Sequence, residues 1–502
     1  MPFWRIRNTL ASRTFSIENN RAINWLDKIY RFWPHIVVGF HFVAALLASA
    51  HALLNKRDSR AATLWLGAIW SLPVLGPILY LALGVNRIRR KAISLGVHKS
   101  VARPVPQNLG ESELSRVEHL QMLARVVGRV VAQPLTPGNR LQALLNGDEA
   151  FPAMLNAIAA ATKSISLVTY IFDNDASGKQ FAEALGRAVK RGVAVRVLID
   201  AAGTRYSWPS ITHRLKHEKI PFARFLPASV LTPWRVTTVN LRNHRKVMVV
   251  DGKIAFTGGI NIRHGNLLAE KPKSPVRDLH FQAEGPIAGQ LQEAFAADWA
   301  FTTGEALDGP SWFPDLEDRG DVVARVITDG PDADFETVRW TLLAALAEAH
   351  QSVQILTPYF LPDPALVTAM NLAALRGVRV DIILPARSNL RYMDWASRAM
   401  WWQVLERGCR LWLPQPPFDH SKLMIVDGHW VMLGSANWDT RSLRLNFELN
   451  VEAYGRDFAG RMSKVIEEKL RGAREVTLAE VDGRSCACKL RDAIARLFSP
   501  YL

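Results

Sequence analysis

The chain has 502 residues, of which 49% are hydrophobic and 22% are charged, so it can hold more than one domain and a sizeable core. Its three cysteines exclude a framework of paired disulfides and favour a reducing compartment. The formal net charge of +16 favours a polyanionic partner, which is either nucleic acid or an anionic lipid surface.

Two long and almost uncharged runs lie near the N-terminus, at residues 34–54 and 61–85. Each approaches the roughly 20 residues that an α-helix needs to cross a bilayer. Polar residues precede the first run and a second run follows at once, which argues against a signal peptide. We therefore predict a hairpin of two transmembrane helices within residues 1–91, rather than two buried helices of a soluble domain. His35, His41 and His51, inside or beside the first run, are expected in packing or interfacial positions rather than at a metal or proton site.

Basic residues are enriched before the first apolar run and after the second. Fewer lie in the short connector between the two runs. The connector carries Lys56, Arg57 and Arg60. The positive-inside bias therefore places both ends of the hairpin, and the rest of the chain, on the cytoplasmic side. With two spans predicted, an anionic lipid surface is preferred over nucleic acid as the partner.

The rest of the chain divides into a linker and two related halves. We assign residues 92–140 to the linker, 141–320 to the first half, 321–480 to the second half and 481–502 to a C-terminal tail. Two apolar segments of the first half recur in the second. The matched pairs are SISLVTYIF at 164–172 with SVQILTPYF at 352–360, and RGVAVRVLID at 191–200 with RGVRVDIILP at 376–385. Strand, helix and strand in each half predict an α/β fold with a largely parallel sheet.

A polar motif recurs in the two halves with identical internal spacing. The segments are NHRKVMVVDGKIAFTGGINI at 243–262 and FDHSKLMIVDGHWVMLGSANWD at 418–439. Two copies in the same register make a chance match improbable. The shared positions are His244, Lys246, Asp251, Gly258 and Asn261 in the first copy, and His420, Lys422, Asp427, Gly434 and Asn437 in the second.

The motif predicts half of a phosphoryl-transfer site in each copy. Asp-Gly between two apolar runs indicates a β-hairpin, and residues two apart on a strand share a face, so each histidine projects beside its lysine. A neutral imidazole can attack phosphorus and an imidazolium can protonate a leaving alkoxide. Lysine and asparagine can bind phosphate oxygens. Because each half has a single such histidine, the two halves must face each other to form a complete site.

A catalytic histidine needs a partner that fixes its tautomer. Asp278 and Glu448 occupy similar positions after the first and second motif, which makes them candidates for this role. Asp251 and Asp427 stand at the hairpin turns, where pairing with basic residues or backbone groups is the preferred interpretation.

The duplicated pattern resembles the phospholipase D superfamily, and the chain as a whole resembles membrane-anchored bacterial cardiolipin synthases. The segments that carry the narrower resemblance are SLPVLGPILYLALG, GNRLQALLNGDEAF, TGGINI, RDLHFQAEGP, TPYFLPD and GSANWDTRSLRLNFELN. Gly259, where many members of the superfamily have serine, is common in cardiolipin synthases. It leaves the first half without one hydroxyl donor, which is consistent with unequal roles of the halves.

The resemblance implies two α/β halves related by a pseudo-twofold axis, one shared active site, and neither cofactor nor metal. It implies a bacterial inner-membrane enzyme that acts on anionic phospholipid: phosphatidylglycerol donates a phosphatidyl group to a second phosphatidylglycerol, yielding cardiolipin and glycerol. His244 is then the nucleophile and His420 the acid. The implied catalytic motif residues are His244, Lys246, Asp251, His420, Lys422 and Asp427, with phosphate binding by Lys246, Asn261, Lys422 and Asn437.

Several alternatives remain open from the sequence. The same chemistry with water as acceptor is a phospholipase D that releases phosphatidic acid, and phosphatidylethanolamine is another possible donor or acceptor. A nuclease of the superfamily suits the basic charge, but the predicted membrane spans argue against it. A non-catalytic lipid-binding protein is disfavoured because both motifs are intact. The sequence predicts no oligomeric state.

Overall fold

The computed structural model describes residues 32–56, 59–84, 117–227, 241–331 and 334–498. They belong to two compact units, Met1–Arg87 and Ile88–Leu502. The basic segment before residue 32 and residues 92–116 of the predicted linker lie outside the described residues. Among those that are described, a single helix, α1 at Phe32–Asn55, is long and apolar enough to cross a membrane.

The second apolar run is not the continuous helix that the sequence predicted over residues 61–85. It forms α2 at Ser59–Ser71 and α3 at Leu75–Leu79, and then a π-helical turn at Tyr80–Gly84. The helix is interrupted at Pro73, because proline has no amide hydrogen and its ring clashes with the preceding turn of a helix. The prediction of one continuous second helix is therefore wrong, whereas the prediction that the second apolar run also crosses the membrane stays a prediction.

The first helix supplies hydrogen bonds to the interrupted segment. Val74, at the break, has a φ of 63° and its N–H donates to Nδ1 of His41 at 3.1 Å. Nδ1 of His51 lies 2.8 Å from the hydroxyl of Tyr80. In an apolar environment a free backbone N–H is costly, so His41 stabilises the break. Both histidines thus serve packing within this unit.

A 15-stranded sheet forms the centre of the second unit. The strands of the unit are β1 Thr136–Leu145, β2 Ser164–Thr169, β3 Ala194–Asp200, β4 Phe222–Phe225, β5 Val247–Val250, β6 Ile254–Gly258, β7 Val276–Arg277, β8 Leu279–Glu284, β9 Val322–Asp329, β10 Ser352–Leu356, β11 Phe360–Leu361, β12 Arg379–Ile383, β13 Arg410–Leu413, β14 Phe418–Asp419, β15 Leu423–Val426, β16 Trp430–Gly434, β17 Trp438–Asp439, β18 Glu448–Tyr454 and β19 Arg474–Val476.

The order of the strands in the sheet is the same in the two halves. From the centre outward, the first half runs β1, β8, β6, β5, β2, β3, β4, and the second half runs β9, β18, β16, β15, β10, β12, β13, with β19 at the far edge. The matching order gives the halves pseudo-twofold symmetry.

The sheet is mixed, and the prediction that it is largely parallel is wrong. Parallel pairing within it is limited to β2 with β3, β3 with β4, β10 with β12 and β12 with β13. At those places a helix connects the strands, as parallel neighbours require. The central strands pair antiparallel because each half turns back on itself through the predicted Asp-Gly hairpin, β5–β6 and β15–β16.

Helices cover both faces of the sheet. Two long helices, α8 at Pro286–Thr303 and α13 at Arg456–Leu470, occupy equivalent places in the two halves. Both contribute to one buried apolar cluster that includes Leu291, Phe295, Phe458 and Met462. This shared core spans both halves. The helices of the unit are α4 Gln121–Val130, α5 Asn146–Ala160, α6 Ala176–Lys190, α7 Ile211–His217, α8 Pro286–Thr303, α9 Thr337–Glu348, α10 Pro364–Leu375, α11 Arg391–Arg398, α12 Trp401–Leu405, α13 Arg456–Leu470, α14 Leu478–Asp482 and α15 Cys486–Leu497.

Backbone hydrogen bonds join each motif to the opposite half. The N–H of His244 donates to the carbonyl of Phe447 at 2.9 Å, and the N–H of His420 donates to the carbonyl of Arg277 at 2.7 Å. The short strand β14, just before His420, pairs in parallel with β7 of the first half. The position of each histidine is therefore set by both halves together.

Candidate active site

A cavity of about 600 Å³ lies between the two halves, and both motif histidines line it. His244 reaches it from the segment before β5, and His420 from the segment before β15. Asn261, Asn437 and Asp278 also contribute to its wall. The predicted convergence of the two motifs on one cleft is confirmed.

The carboxylates cross between the halves. Oε2 and Oε1 of Glu448, in the second half, lie 3.0 and 3.1 Å from Nδ1 of His244 in the first. Oδ2 of Asp278, in the first half, lies 2.7 Å from Nδ1 of His420 in the second. An ionised carboxylate can only accept a hydrogen bond, so each Nδ1 carries a proton and each Nε2 keeps its lone pair. The sequence placed Asp278 and Glu448 as orienting residues but did not predict which histidine each one holds.

Glu448 is completely buried and is held by further side chains. The Ser435 hydroxyl donates to its Oε2 at 2.5 Å, and the Asn446 amide donates to its Oε1 at 3.0 Å. Burial alone would raise the pKa of Glu448, but the charge and hydrogen bond of His244, the charge of Lys246 and the hydrogen bond from Ser435 together lower it below the ordinary value. The carboxylate thus stays ionised, which favours the tautomer of His244 that carries its proton on Nδ1.

The first half lacks a counterpart of the Ser435 hydroxyl for a steric reason. A Cβ added to Gly259 would lie 2.1 Å from Oδ1 of Asp278, so the carboxylate occupies the space of a side chain. The pair of Asp278 and Gly259 in the first half thus corresponds to the pair of Glu448 and Ser435 in the second half. The unequal support of the two carboxylates is a structural difference between the halves.

Burial controls the protonation of both histidines. Desolvation lowers the pKa of His244, although Glu448 partly opposes this effect. Desolvation and the nearby Lys422 lower the pKa of His420 to about 4, against the opposing charge of Asp278. Without a bound anion both imidazoles are therefore neutral at pH 7, and each is available as a nucleophile or a base.

The two motif lysines lie beside the histidines but are not among the residues that line the cavity. Both are buried, and each ammonium donates to the carbonyl of the histidine two positions earlier; for Lys246 this distance is 2.6 Å. Desolvation lowers the pKa of Lys246 to about 7 and that of Lys422 to about 8. Direct contact of these lysines with phosphate stays a prediction. Their positive charges do lie next to the site.

The two motif asparagines sit at the ends of the returning strands, as predicted. The N–H of Ile171 donates to Oδ1 of Asn261 at 3.1 Å, which leaves the amide NH₂ of Asn261 as its donor group. The amide of Asn437 donates to the Ser442 hydroxyl at 3.1 Å. Both side chains line the cavity, where a carboxamide can donate to an anionic ligand.

The motif aspartates do not line the cavity. Each stands at a hairpin turn with φ of 53° and accepts from three consecutive backbone N–H groups. The donors are Thr162, Lys163 and Ser164 for Asp251, and His350, Gln351 and Ser352 for Asp427. These contacts support the structural interpretation of Asp251 and Asp427, in which each ties its hairpin to the strand beside it. A direct catalytic role for either aspartate stays a prediction.

One group outside the cavity has the residue types of a metal site. His119, His350 and Asp427 bring possible ligand atoms within 4.8 Å of one another. Nε2 of His119 is 2.8 Å from Oδ2 of Asp427, and the rings of His119 and His350 stack with centroids 5.3 Å apart. Histidine nitrogen and carboxylate oxygen suit a divalent transition metal. The three residues come from separate segments, so the sequence did not indicate this group.

Sequence reasoning missed an aromatic wall around the two histidines. The rings of Tyr170 and His244 have centroids 5.1 Å apart, and those of Tyr359 and His420 are 6.2 Å apart. Burial raises the pKa of both tyrosines, so they remain neutral. The sequence did contain a signal for these tyrosines, because each one closely follows the first repeated strand of its half. Arg242, Arg263 and Arg441, which also line the cavity, had no comparable signal in the duplicated motif.

The C-terminal tail, for which the sequence indicated no role, also reaches this cavity. Helix α15 packs beside α11, and Ala495 and Phe498 are among the lining residues. The cavity wall is thus built from both halves and from the tail.

Comparisons with known proteins agree with this arrangement. Residues 154–299 and 342–470 match the family described as cardiolipin synthase, PLD-like domain, and residues 43–84 match a phospholipase D-nuclease N-terminal family. The chain is 32% identical over 485 residues to cardiolipin synthase A of Pseudomonas fluorescens, covering 94% of this chain and 99% of that protein. It is 29% identical over 516 residues to cardiolipin synthase 1 of Bacillus cereus, covering 98% of each. The crystal structure of phosphatidylserine synthase from Haemophilus influenzae is similar in fold, with a TM-score of 0.58 and 15% identity over 76% of this chain and 100% of that chain.

Proposed function

The chain belongs to the cardiolipin synthase family with phospholipase-D-like domains, and we propose that it transfers a phosphatidyl group between two phosphatidylglycerol molecules to yield cardiolipin and glycerol. The observation that carries the proposal is the pair of histidines, one from each half, that line a single cavity with each Nδ1 held by a carboxylate. This arrangement provides two imidazole Nε2 atoms for one phosphodiester.

In the first step, Nε2 of His244 attacks the phosphorus of phosphatidylglycerol, and the bond from phosphorus to the glycerol oxygen breaks. His420 donates a proton to that oxygen, so neutral glycerol leaves and a phosphatidyl-histidine remains. The diester brings a negative charge close to His420, which raises the low pKa of its imidazole and allows it to carry the required proton.

In the second step, the now neutral His420 removes the proton from a headgroup hydroxyl of the second phosphatidylglycerol. The resulting alkoxide attacks phosphorus, the bond to His244 breaks, and cardiolipin forms. Glu448 stabilises the positive charge that His244 carries while it is bonded to phosphorus. The buried ammonium groups of Lys246 and Lys422 and the amides of Asn261 and Asn437 favour the negative charge on the phosphate oxygens.

The second candidate function is hydrolysis. In that reaction water, instead of the hydroxyl of a second lipid, attacks the phosphatidyl-histidine. The lining of the cavity supports transfer. It includes Tyr170, Tyr359, Phe418, Leu390 and Met393, which favour the binding of an apolar or amphipathic acceptor.

Incubation of the purified full-length protein with phosphatidylglycerol, without added divalent metal, tests the proposal. We expect cardiolipin and glycerol in equal amounts by mass spectrometry and glycerol assay. His420→Ala should abolish product, whereas His217→Ala, an exposed histidine beside Glu218, should keep full activity and serves as the matched control. Phosphatidic acid as the main product would instead establish hydrolysis.

We also propose that both apolar runs of the N-terminal unit lie in the membrane and that the catalytic halves lie on the cytoplasmic side. The long helix α1 supports membrane association. The excess of Lys and Arg on the outer sides of the two runs supports the orientation. Helices α2 and α3 are each shorter than a membrane span, so the second run would complete its passage through the kinked segment.

A further inference from the structure

Exposed aromatic side chains surround the mouth of the cavity. Tyr206, Tyr392 and Phe498 all line it, yet they are 58%, 46% and 57% exposed. They come from the first half, the second half and the C-terminal tail. Trp208, two residues after Tyr206, is 96% exposed. Such rings are unusual on a surface in contact only with water, whereas Trp and Tyr are enriched where protein meets the headgroups of a bilayer.

Helix α15 continues this surface with an apolar stripe. Leu490, Ile494 and Leu497 follow one another at helical spacing and are 60%, 49% and 75% exposed. Asp492 and Ala495 on another face are buried, where the helix packs beside α11. The stripe points away from the protein core, and Phe498 links it to the cavity.

The charges beside the stripe are basic. Lys489 and Arg496 are exposed on one flank of the helix. On the other flank, Arg491 lies over the ring of Trp395, with 4.8 Å between the guanidinium carbon and the ring centroid. An apolar stripe with basic flanks has the composition of a helix that lies in the plane of an anionic membrane surface.

We propose that α15, with Tyr206, Trp208, Tyr392 and Phe498, forms an interfacial surface that docks on anionic phospholipid and opens the cavity directly to the bilayer. The surface is continuous with the cavity through Ala495 and Phe498, so a lipid headgroup can enter while its acyl chains stay in the apolar layer. The docking itself does not depend on the reaction; only the benefit for phosphatidylglycerol entry rests on the proposed function.

The docking is tested on the full-length protein in vesicles of phosphatidylglycerol and phosphatidylcholine. Leu497→Cys, combined with Cys486→Ser and Cys488→Ser, is labelled with an environment-sensitive fluorophore and exposed to a lipid that carries a quencher just below its headgroup. Leu375→Cys in the same background is the matched control, because Leu375 is 66% exposed at the C-terminal end of α10 and is not among the residues that line the cavity. We expect at least twofold quenching at position 497 and none at 375.

Equal signals at the two positions, or no quenching at 497, would overturn the proposal. A change in fluorescence at position 497 that depends on the ratio of protein to lipid, without quenching by the lipid, would also overturn the proposal. It would identify a second copy of the chain as the partner.

Turnover provides a second readout. Leu490→Glu with Leu497→Glu should lower cardiolipin formation on vesicles by about tenfold or more, since each change replaces a membrane-buried leucine by a charge. Leu372→Glu with Leu375→Glu should leave it unchanged. Short-chain phosphatidylglycerol in solution should be processed equally by both double variants and by the parent chain, which shows that the fold is intact. If the parent chain makes no lipid product, the proposed function fails, whereas the quenching result still decides the docking.

Discussion

At the scale of single residues, the carboxylates that orient the histidines belong to the opposite halves. Glu448 holds His244 and Asp278 holds His420, so neither half can complete its own histidine–carboxylate pair. A hydrogen bond at Nδ1 determines the tautomer and leaves Nε2 for chemistry. The carboxylate that fixes the tautomer of His244 is therefore found more than two hundred positions later in the chain.

Glu448→Gln tests this dependence. The amide keeps the shape of the side chain but removes its charge, so the correct tautomer and the imidazolium both lose stabilisation. We expect kcat to fall by roughly 10²–10⁴-fold, as for loss of the charged partner of a catalytic histidine. Glu305→Gln, which alters a remote carboxylate paired with Arg196, should have no effect on turnover. A Glu448→Gln enzyme within threefold of the parent chain would show that the carboxylate does not act in this way.

The lysines predict the pH dependence. Burial lowers the pKa of Lys246 to about 7 and that of Lys422 to about 8, so their positive charges are present below these values and are lost as the pH rises through them. If these charges favour phosphate binding as proposed, kcat/KM should fall between about pH 7 and 8, since this quantity reports groups of the free enzyme. Lys246→Arg stays charged throughout and should move the alkaline limb to about pH 8. A parent profile that is flat from pH 6 to 9 is incompatible with this role.

At the scale of elements, the two hairpins were predictable and the kinked anchor was not. The run of β-branched and apolar residues before Asp251-Gly252 indicates a strand and its turn from local sequence alone. The second apolar run instead has uninterrupted hydropathy, and its length suggests one helix. Whether Pro73 merely kinks a helix or ends it depends on a distant partner, His41, which accepts from the freed backbone.

The orientation of the anchor can be measured with a native side chain. Cys486 is exposed at the start of α15, whereas Cys409 is buried. If the catalytic halves are cytoplasmic, a membrane-impermeant maleimide should label the protein only after the inner membrane of spheroplasts has been permeabilised. Cys486→Ser with Cys488→Ser should remove the label and serves as the control. Labelling of intact spheroplasts would place the C-terminal end on the other side.

At the scale of the whole molecule, the sequence allowed the duplication, the α/β class and the convergence of His244 and His420 to be predicted, because identical motif spacing implies equivalent positions in related halves. It did not allow the crossed carboxylates or the mixed sheet to be predicted, since both depend on how distant strands pair. The contribution of Phe498 to the cavity was also missed. A single aromatic residue in a tail carries no repeated pattern, and only packing of α15 on α11 brings it to the site.

The central claim is that His244 becomes covalently bonded to the phosphatidyl group while His420 serves as acid and base. The most direct measurement is a brief reaction with phosphatidylglycerol labelled with radioactive phosphorus, followed by an alkaline quench, which preserves phosphohistidine, and peptide mapping. We predict label on the peptide that contains His244, none in His244→Ala, and release of the label as cardiolipin when more phosphatidylglycerol is added. Label on any other residue, or full turnover by His244→Ala, would contradict the account.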